Sequence, residues 1–171
     1  INPPFFMEKS EADIKKIADA NNLPSSGFEN SYTPTVIQIS KQTVLFDTGF
    51  GEMGRGNHAG NLRRRLGQAG YAPEDIDVVA FTHCHPDHIA GIMESGALAY
   101  PNARYVIGRR EYDTWKDGSE IPPQRAQNRE MFLNLLPPLA DQMTFVEDGD
   151  YVVPGLTAEA AFGHSLGHMM Y

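Results

Sequence analysis

The sequence contains a single cysteine, Cys84, and no apolar run approaching the roughly 20 residues that a membrane-spanning helix needs. One cysteine excludes an intrachain disulfide. No signal peptide is visible, but the chain opens with Ile1 rather than Met, so the sequence does not indicate a compartment. We therefore assign no localisation.

Basic residues are also scarce. Fourteen Lys and Arg stand against 22 Asp and Glu, which gives a formal net charge of −8. Nucleic acid and anionic membranes require a basic face, so neither is expected as the main partner. The basic run Arg63-Arg64-Arg65 is more typical of a solvated helix face than of a phosphate site. Small-molecule substrates are the expected partners, and a homodimer is compatible with the sequence.

The length and composition are those of one globular domain. The chain has 171 residues, of which 41% are apolar and 21% charged, enough for a substantial core, and we expect residues 1–171 to form a single domain. Hairpin patterns come first, then strand–helix–strand, then short strands. This order predicts an α/β fold with layered helices and a mixed sheet.

Hydrophobic periodicity places the individual elements. Ser10, with an acidic residue three positions later, predicts the start of a first helix. Apolar residues at helical spacing predict further helices around 62–69 and 131–136, and Pro86 suits the first turn of another over roughly 87–95. Runs rich in β-branched residues predict strands at 35–40, 42–48, 77–83, 103–108, 143–148, 150–154 and 156–163. Five glycines within 49–60 predict a loop.

Histidine is concentrated at the end of one predicted strand. Three of the six histidines lie in the segment HCHPDH at 83–88. Alternate residues of an extended segment point the same way, so the imidazoles of His83 and His85 can reach one ion. Asp87 and His88 follow where the chain turns into a helix, and they could hold a second ion. Imidazoles with a carboxylate suit a divalent metal such as Zn²⁺, whereas core packing would not require such a cluster.

A second cluster, GHSLGH at 163–168, follows another strand-like run. Gly163 allows a sharp turn, and His164 is the candidate third ligand of the first ion. Two ligands close in sequence, a distant third ligand and a position open to water are typical of catalytic zinc sites. For His168, a supporting structural role and a direct role are equally good interpretations.

Three further polar residues lie near these clusters. Asp47, in LFDTG, could accept a hydrogen bond from a ligand imidazole, although an ordinary turn also explains this stretch taken alone. His58, in the glycine-rich loop, is expected at the surface or at a pocket rim rather than on a metal. Cys84 lies between His83 and His85 but faces the other way, as a small core residue.

Together, LFDTG (45–49), HCHPDH (83–88) and the later GH (163–164) resemble the metallo-β-lactamase superfamily. Over about 28–171 the sequence is most similar to the branch with methyl parathion hydrolase-like enzymes and N-acyl homoserine lactonases. The resemblance implies an αββα sandwich holding two divalent metal ions, with zinc the expected metal, at one edge between the sheets. It also implies a bridging Asp and a late His that cannot be placed in this sequence. On this interpretation the chain is an internal portion of a longer protein, and its sandwich is incomplete, without N-terminal strands and a C-terminal portion.

These observations predict a metal-dependent hydrolase that uses activated water to cleave a lactone, ester or phosphotriester. The assigned metal ligands are His83, His85 and His164 for one ion, and Asp87 and His88 for the other. Asp87 is also assigned as the catalytic residue. Phe28, Met53 and Trp115 could line an apolar substrate pocket, although core packing or surface exposure also explains each. The alternative functions are a β-lactamase or thioesterase of the same superfamily, and a non-catalytic metal-binding or sensing domain.

Overall fold

The computed structural model describes residues 9–24 and 31–171. The chain divides into two compact units, Ile1–Tyr32 and Thr33–Tyr171. The expectation of a single domain stays a prediction. Phe28, one of the candidate pocket residues, lies outside the described residues.

The described part of the first unit contains helix α1 (Glu11–Ala20). The side-chain oxygen of Ser10 accepts a hydrogen bond from the backbone N–H of Asp13 at 3.1 Å, which satisfies one of the free donors of the first turn. The predicted helix start at Ser10 is therefore confirmed. Neither α1 nor any other helix among the described residues has the length and apolar character of a membrane span.

The second unit is built from short strands and helices. Its strands are β1 (Thr35–Ile39), β2 (Gln42–Phe46), β3 (Val78–Phe81), β4 (Met93–Glu94), β5 (Ala97–Leu98), β6 (Arg104–Gly108), β7 (Met143–Val146), β8 (Tyr151–Val153), β9 (Leu156–Thr157), β10 (Glu159–Ala160) and β11 (Met169–Met170). Its α-helices are α2 (Leu62–Gln68), α3 (Pro86–Ile89), α4 (Arg109–Asp117) and α5 (Ala126–Leu135). Short 3-10 helices cover Gly51–Asn57, Pro73–Asp75, Ala90–Ile92, Pro123–Arg125 and Pro137–Gln142.

A five-stranded mixed sheet in the order β1-β2-β3-β6-β7 is the centre of this unit. β1 and β2 form an antiparallel hairpin through Ser40 and Lys41, whose φ angles of 50° and 63° suit a two-residue turn. The pairs β2–β3, β3–β6 and β6–β7 are parallel. Because parallel strands end at the same edge, the segments that follow β2, β3 and β6 lie together, and this edge carries the site described below.

The sheet is buried on both faces, which gives the unit three layers. One face packs against helices, through a cluster that includes Leu45, Phe81, Ile107, Trp115 and Phe132. The opposite face packs against the short strands β8 to β11, through a cluster that includes Val44, Ala80, Val106, Val153 and Met169. All residues of β3 are fully buried, as the apolar run at 77–83 predicts. A helical layer, a sheet and a second β layer make up three of the four layers of the αββα sandwich expected from the resemblance.

The helix predicted over 87–95 is wrong in extent. α3 ends at Ile89, a single 3-10 turn follows, and the chain then enters β4, which pairs with β5. The backbone of Gly91 explains the break, because a Cβ there would lie 2.1 Å from the carbonyl oxygen of Thr48. The amide of Gly91 also donates to the Gly49 carbonyl at 2.8 Å. Close contact between two loops therefore ends the helix early.

Two other expectations differ from the structure, and one helix had no expectation at all. The loop expected over 49–60 contains a seven-residue 3-10 helix. The strand expected over 156–163 is divided into the two-residue strands β9 and β10. α4 was not predicted, because its sequence RREYDTWKD is mostly polar and one of its buried residues, Glu111, is charged.

Candidate metal centre

The three histidines assigned to the first ion converge at the sheet edge. His83 and His85 follow β3, and His164 lies in the loop between β10 and β11. The Nε2 atom of His83 lies 2.9 Å from Nδ1 of His85, which in turn lies 3.1 Å from Nε2 of His164. The candidate ligand atoms of all three lie within 4.8 Å of one another. The structure thus brings together residues that are 79 positions apart in sequence.

Backbone contacts explain how the distant His164 loop reaches β3. The amide of Met169, at the start of β11, donates to the carbonyl of Thr82 at 2.9 Å. The hydroxyl of Tyr171 donates to the carbonyl of Phe81 at 2.8 Å. These bonds hold β11 against the end of β3, so that the preceding loop places His164 beside the other two imidazoles.

The geometry and charge of this cluster fit a divalent cation. Nitrogen ligands about 2.0–2.1 Å from one tetrahedral zinc ion lie roughly 3.3 Å apart. Nδ1 of His85 lies at close to this separation from both other rings, at 2.9 and 3.1 Å. Three imidazole lone pairs facing one another are unfavourable unless a proton or a cation lies between them. His83 and His85 are buried whereas His164 is exposed, which leaves one side of the cluster accessible to solvent.

Burial keeps His83 and His85 in the neutral form that binds metals. Burial lowers the pKa of His83 to about 2, assisted by repulsion from the neighbouring histidines, first of all His88. Burial likewise lowers the pKa of His85 to about 4, assisted by the positive charge of Arg125. Both imidazoles are therefore unprotonated at neutral pH.

Asp87 and His88 lie directly beside this cluster. The ring of His88 lies 3.9 Å, centroid to centroid, from the ring of His83. Its Nε2 atom lies 3.2 Å from Oδ2 of Asp87. The two residues assigned to a second ion are therefore adjacent to each other and to the first cluster.

His88 also contacts Asp47, so its ring lies between two carboxylates. Its Nδ1 atom lies 2.8 Å from Oδ2 of Asp47. Burial lowers the pKa of His88, but the hydrogen bonds to Asp47 and Asp87 outweigh it and raise the pKa to about 9. Burial raises the pKa of Asp87, but the hydrogen bond and charge of His88, together with a backbone hydrogen bond, leave it below the ordinary value. Binding a cation at the His88 ring would therefore release a proton.

The contacts of Asp47 favour a supporting role over an ordinary turn. Its Oδ1 atom accepts the backbone N–H of Thr82 at 2.8 Å, and its Oδ2 atom accepts the Thr82 hydroxyl at 2.9 Å. The carboxylate thus bonds to residues 35 and 41 positions away rather than within its own loop. The φ angle of Asp47 is 62°, in the left-handed region, where non-glycine residues are uncommon and which costs roughly 1–3 kcal/mol. These bonds fix one nitrogen of His88 and leave the other toward Asp87.

His168 lies at the edge of the histidine cluster. Its ring lies 4.9 Å from that of His83 and 5.9 Å from that of His164, centroid to centroid. Among the described residues, its Nδ1 atom is buried without a hydrogen-bond partner. Both interpretations of this residue, supporting and direct, stay predictions.

The remaining candidates lie where packing or exposure explains them. Cys84 is fully buried in the helix-side core, as expected. His58 is exposed at the end of a 3-10 helix. Met53 is exposed, whereas Trp115 is buried with its ring edge-on to His85 at 5.8 Å between centroids. Trp115 therefore packs under the site instead of lining an open pocket.

Glu111 is a residue of this region that the sequence interpretation missed. It is fully buried, and its carboxylate bonds to the segments on both sides of the histidine cluster. The sequence contains a signal for Glu111: it lies four positions before Trp115, so the two side chains share one face of α4. A charged residue on the apolar face of a helix is unusual enough to mark as a candidate.

Comparisons with known proteins agree with this arrangement. A family model described as the Metallo-beta-lactamase superfamily matches residues 29–171. An N-acyl homoserine lactonase of Bacillus cereus is 36% identical over 106 residues, which make up 60% of this chain and 35% of that protein. This match confirms the resemblance to the lactonase-like branch.

Two solved structures share the fold. AidC, a dizinc quorum-quenching lactonase in complex with a product, has a TM-score of 0.82 at 24% identity. The hydrolase AbOPH, in the beta lactamase superfamily, has a TM-score of 0.81 at 24% identity. Each alignment covers 94% of this chain and 58% of the other chain, so this chain spans little more than half the length of either structure. The predicted α/β fold of the αββα type is confirmed, and the chain belongs to the metallo-β-lactamase superfamily.

Proposed function

We propose that the protein is a metal-dependent hydrolase that opens lactone rings, with N-acyl homoserine lactones as its substrates. The observation that carries the proposal is the convergence of His83, His85 and His164 on one point with a solvent-accessible side. The identity of 36% to an N-acyl homoserine lactonase supports the lactone over other substrates. Because the chain covers 35% of that relative, the activity is proposed for the whole protein.

The side chains of the cluster have separate roles in this proposal. The neutral imidazoles of His83 and His85, with His164, would hold one divalent ion, and Asp87 with His88 would take part in holding another. A bound divalent ion supplies Lewis acidity and lowers the pKa of water from about 16 toward 7.

Asp87 is the residue placed to handle the proton of the attacking water. Burial raises its pKa, but the hydrogen bond and charge of His88, together with a backbone hydrogen bond, outweigh burial and hold the pKa below the ordinary value, so the side chain is a carboxylate at neutral pH. It is also partly exposed, with 28% of its side-chain surface accessible, on the rim of the cluster. A carboxylate in this position can orient a water molecule and accept its proton while the carbonyl of a lactone is attacked.

Burial of the cluster strengthens these roles. His83 and His85 are buried, and His85 packs against Trp115, so their electrostatic interactions are less screened than at the surface. Asp47 fixes one nitrogen of His88, which leaves the orientation of that ring determined before any ligand binds.

The test is turnover by the metal-loaded protein. N-hexanoyl homoserine lactone, a p-nitrophenyl ester and a phosphotriester would be compared, with lactone opening followed by proton release. We expect metal-dependent lactone turnover that is the fastest of the three and is lost in His85→Ala. The matched control is His58→Asn, which changes an exposed histidine outside the cluster and should retain the activity.

Other outcomes of this assay distinguish the lactone substrate, the hydrolase activity and metal binding from one another. Fast turnover of the ester or phosphotriester without lactone opening would reject the lactone substrate and keep the hydrolase. A protein that binds its ions and turns over none of the three substrates would favour the non-catalytic metal-binding alternative.

A further inference from the structure

We infer that Glu111 is a positioning residue that holds the two histidine-bearing segments at the separation required by a single ion. The inference rests on the proposed metal site but concerns a residue that would not touch the ion. Glu111 lies in the first turn of α4 and is 0% exposed.

One carboxylate bonds to both segments. Its Oε1 atom accepts the backbone N–H of Cys84, which lies between His83 and His85, at 2.8 Å. Its Oε2 atom accepts the backbone N–H of Gly167 at 2.9 Å. The hydroxyl of Ser165, the residue after His164, lies 2.6 Å from Oε1 and 2.7 Å from Oε2. The distance between the two segments is therefore set across a single side chain.

A third contact acts on the His85 ring indirectly, through Trp115. The indole Nε1–H of Trp115 donates to Oε1 of Glu111 at 2.8 Å. The same indole packs edge-on to His85, with 5.8 Å between ring centroids. Glu111 thus fixes the backbone beside His85 and also the aromatic ring against which that imidazole rests.

The backbone of α4 is in direct contact with the His164 loop. A Cβ on Gly167 would lie 2.1 Å from the amide nitrogen and 2.4 Å from the Cα atom of Glu111. Only a residue without a side chain allows this approach. Glu111 therefore meets the His164 loop at Gly167 in two ways: its carboxylate accepts the Gly167 amide, and its backbone packs against the Gly167 Cα.

Burying a carboxylate between two loops is unfavourable unless its two oxygens accept hydrogen bonds that a neutral side chain could not accept. Burying a charge is unfavourable without several hydrogen bonds, and Glu111 has donors from the backbone, an indole and a hydroxyl. A glutamine of the same shape has a single acceptor oxygen, and its amide group is a donor. In either orientation that amide would face a backbone or indole N–H, so that the loops would have to separate.

Zinc affinity and the Co²⁺ absorption spectrum test this inference in the intact protein. Zn²⁺ affinity would be measured by competition with a chromophoric chelator, and the visible spectrum of bound Co²⁺ would report ligand geometry. We expect Glu111→Gln to weaken Zn²⁺ binding about 10- to 100-fold and to change the Co²⁺ spectrum. The matched control is Glu130→Gln, the same substitution at an exposed position of α5, which should change neither.

The outcomes are distinct from those of the lactonase assay, because no substrate is used. Folded Glu111→Gln protein with wild-type affinity and an unchanged Co²⁺ spectrum would overturn the inference. If Glu111→Gln does not fold, Ser165→Ala removes a single donor to the same carboxylate, and it should weaken Zn²⁺ binding about 10-fold. Unchanged binding in that variant would then overturn the inference. Wild-type protein that binds Zn²⁺ but opens no lactone would reject the proposed substrate and leave the role of Glu111 intact.

Discussion

Acidification should destabilise the metal-free protein through His83 and His85. Both are buried and neutral, with pKa values lowered to about 2 and about 4 from an ordinary value of 6.5. In the unfolded chain both bind protons below pH 6.5, whereas in the folded chain neither does until the pH falls much further. Their contribution to stability is therefore present above pH 6.5 and is lost progressively as the pH falls toward the folded-state values.

The size of the effect follows from the shifts. One pKa unit corresponds to about 1.4 kcal/mol, so lowering the pH from 7 to 5 costs about 2 kcal/mol for each histidine and about 4 kcal/mol together. His88 has the opposite sign, because its pKa is raised to about 9 and its contribution is lost as the pH rises through that value. Between pH 7 and 5 it offsets less than about 1 kcal/mol. The net fall is a large fraction of the roughly 5–15 kcal/mol of a typical domain.

The measurement is urea unfolding of chelator-treated protein, followed by circular dichroism at pH 7, 6 and 5. His85→Gln should reduce the fall in unfolding free energy by about 2 kcal/mol, because one buried neutral imidazole is removed. His58→Asn, at an exposed position, should leave the fall unchanged. A wild-type unfolding free energy that is constant from pH 7 to 5 would refute the reasoning, as would a fall of equal size in His85→Gln.

Four further predictions concern two glycines, Asp47 and the metal site. Gly167→Ala should lower the unfolding free energy by about 1–3 kcal/mol, because its Cβ would meet the α4 backbone, and a smaller loss in urea unfolding would contradict the close contact. Gly67→Ala, in a helix with open space around it, should instead raise the unfolding free energy by up to about 1 kcal/mol. Asp47→Asn should lower the pKa of His88 from about 9, and an NMR titration midpoint that stays near 9 would show that Asp47 is not responsible. Adding Zn²⁺ to the metal-free protein at 100 times its dissociation constant should stabilise it by about 2.7 kcal/mol, and an unchanged melting temperature would contradict the metal site.

The parts of the fold that the sequence predicts are those with strong local patterns. The apolar run at 77–83 is typical of a strand buried on both faces, and β3 lies at the centre of the sheet with both faces covered. The alternation of His83 and His85 after that strand was sufficient to place their rings together. His164 was identified from its motif, and its convergence with the other two follows from strand pairing that no local pattern contains.

The parts that could not be predicted depend on contacts between distant segments. Pro86 does begin a helix, but Gly91 packs against Thr48 and the helix ends at Ile89. The polar sequence of α4 conceals a buried face, because Glu111 is acceptable there only through donors from residues 27 and 56 positions away. Hydrophobic periodicity records neither kind of contact.

The separation of His85 and His164 along the chain also determines when the site can form. Bringing residues 79 positions apart together costs roughly 4 kcal/mol of chain entropy, and β6, α4, α5 and β7 all lie inside that loop. Contacts of such long range are slow to form, because the entropy of loop closure is lost before the contacts stabilise the chain. A refolding chain would therefore have no complete cluster to offer until its central sheet was assembled, and capture of the ion would mark a molecule whose folding was already finished.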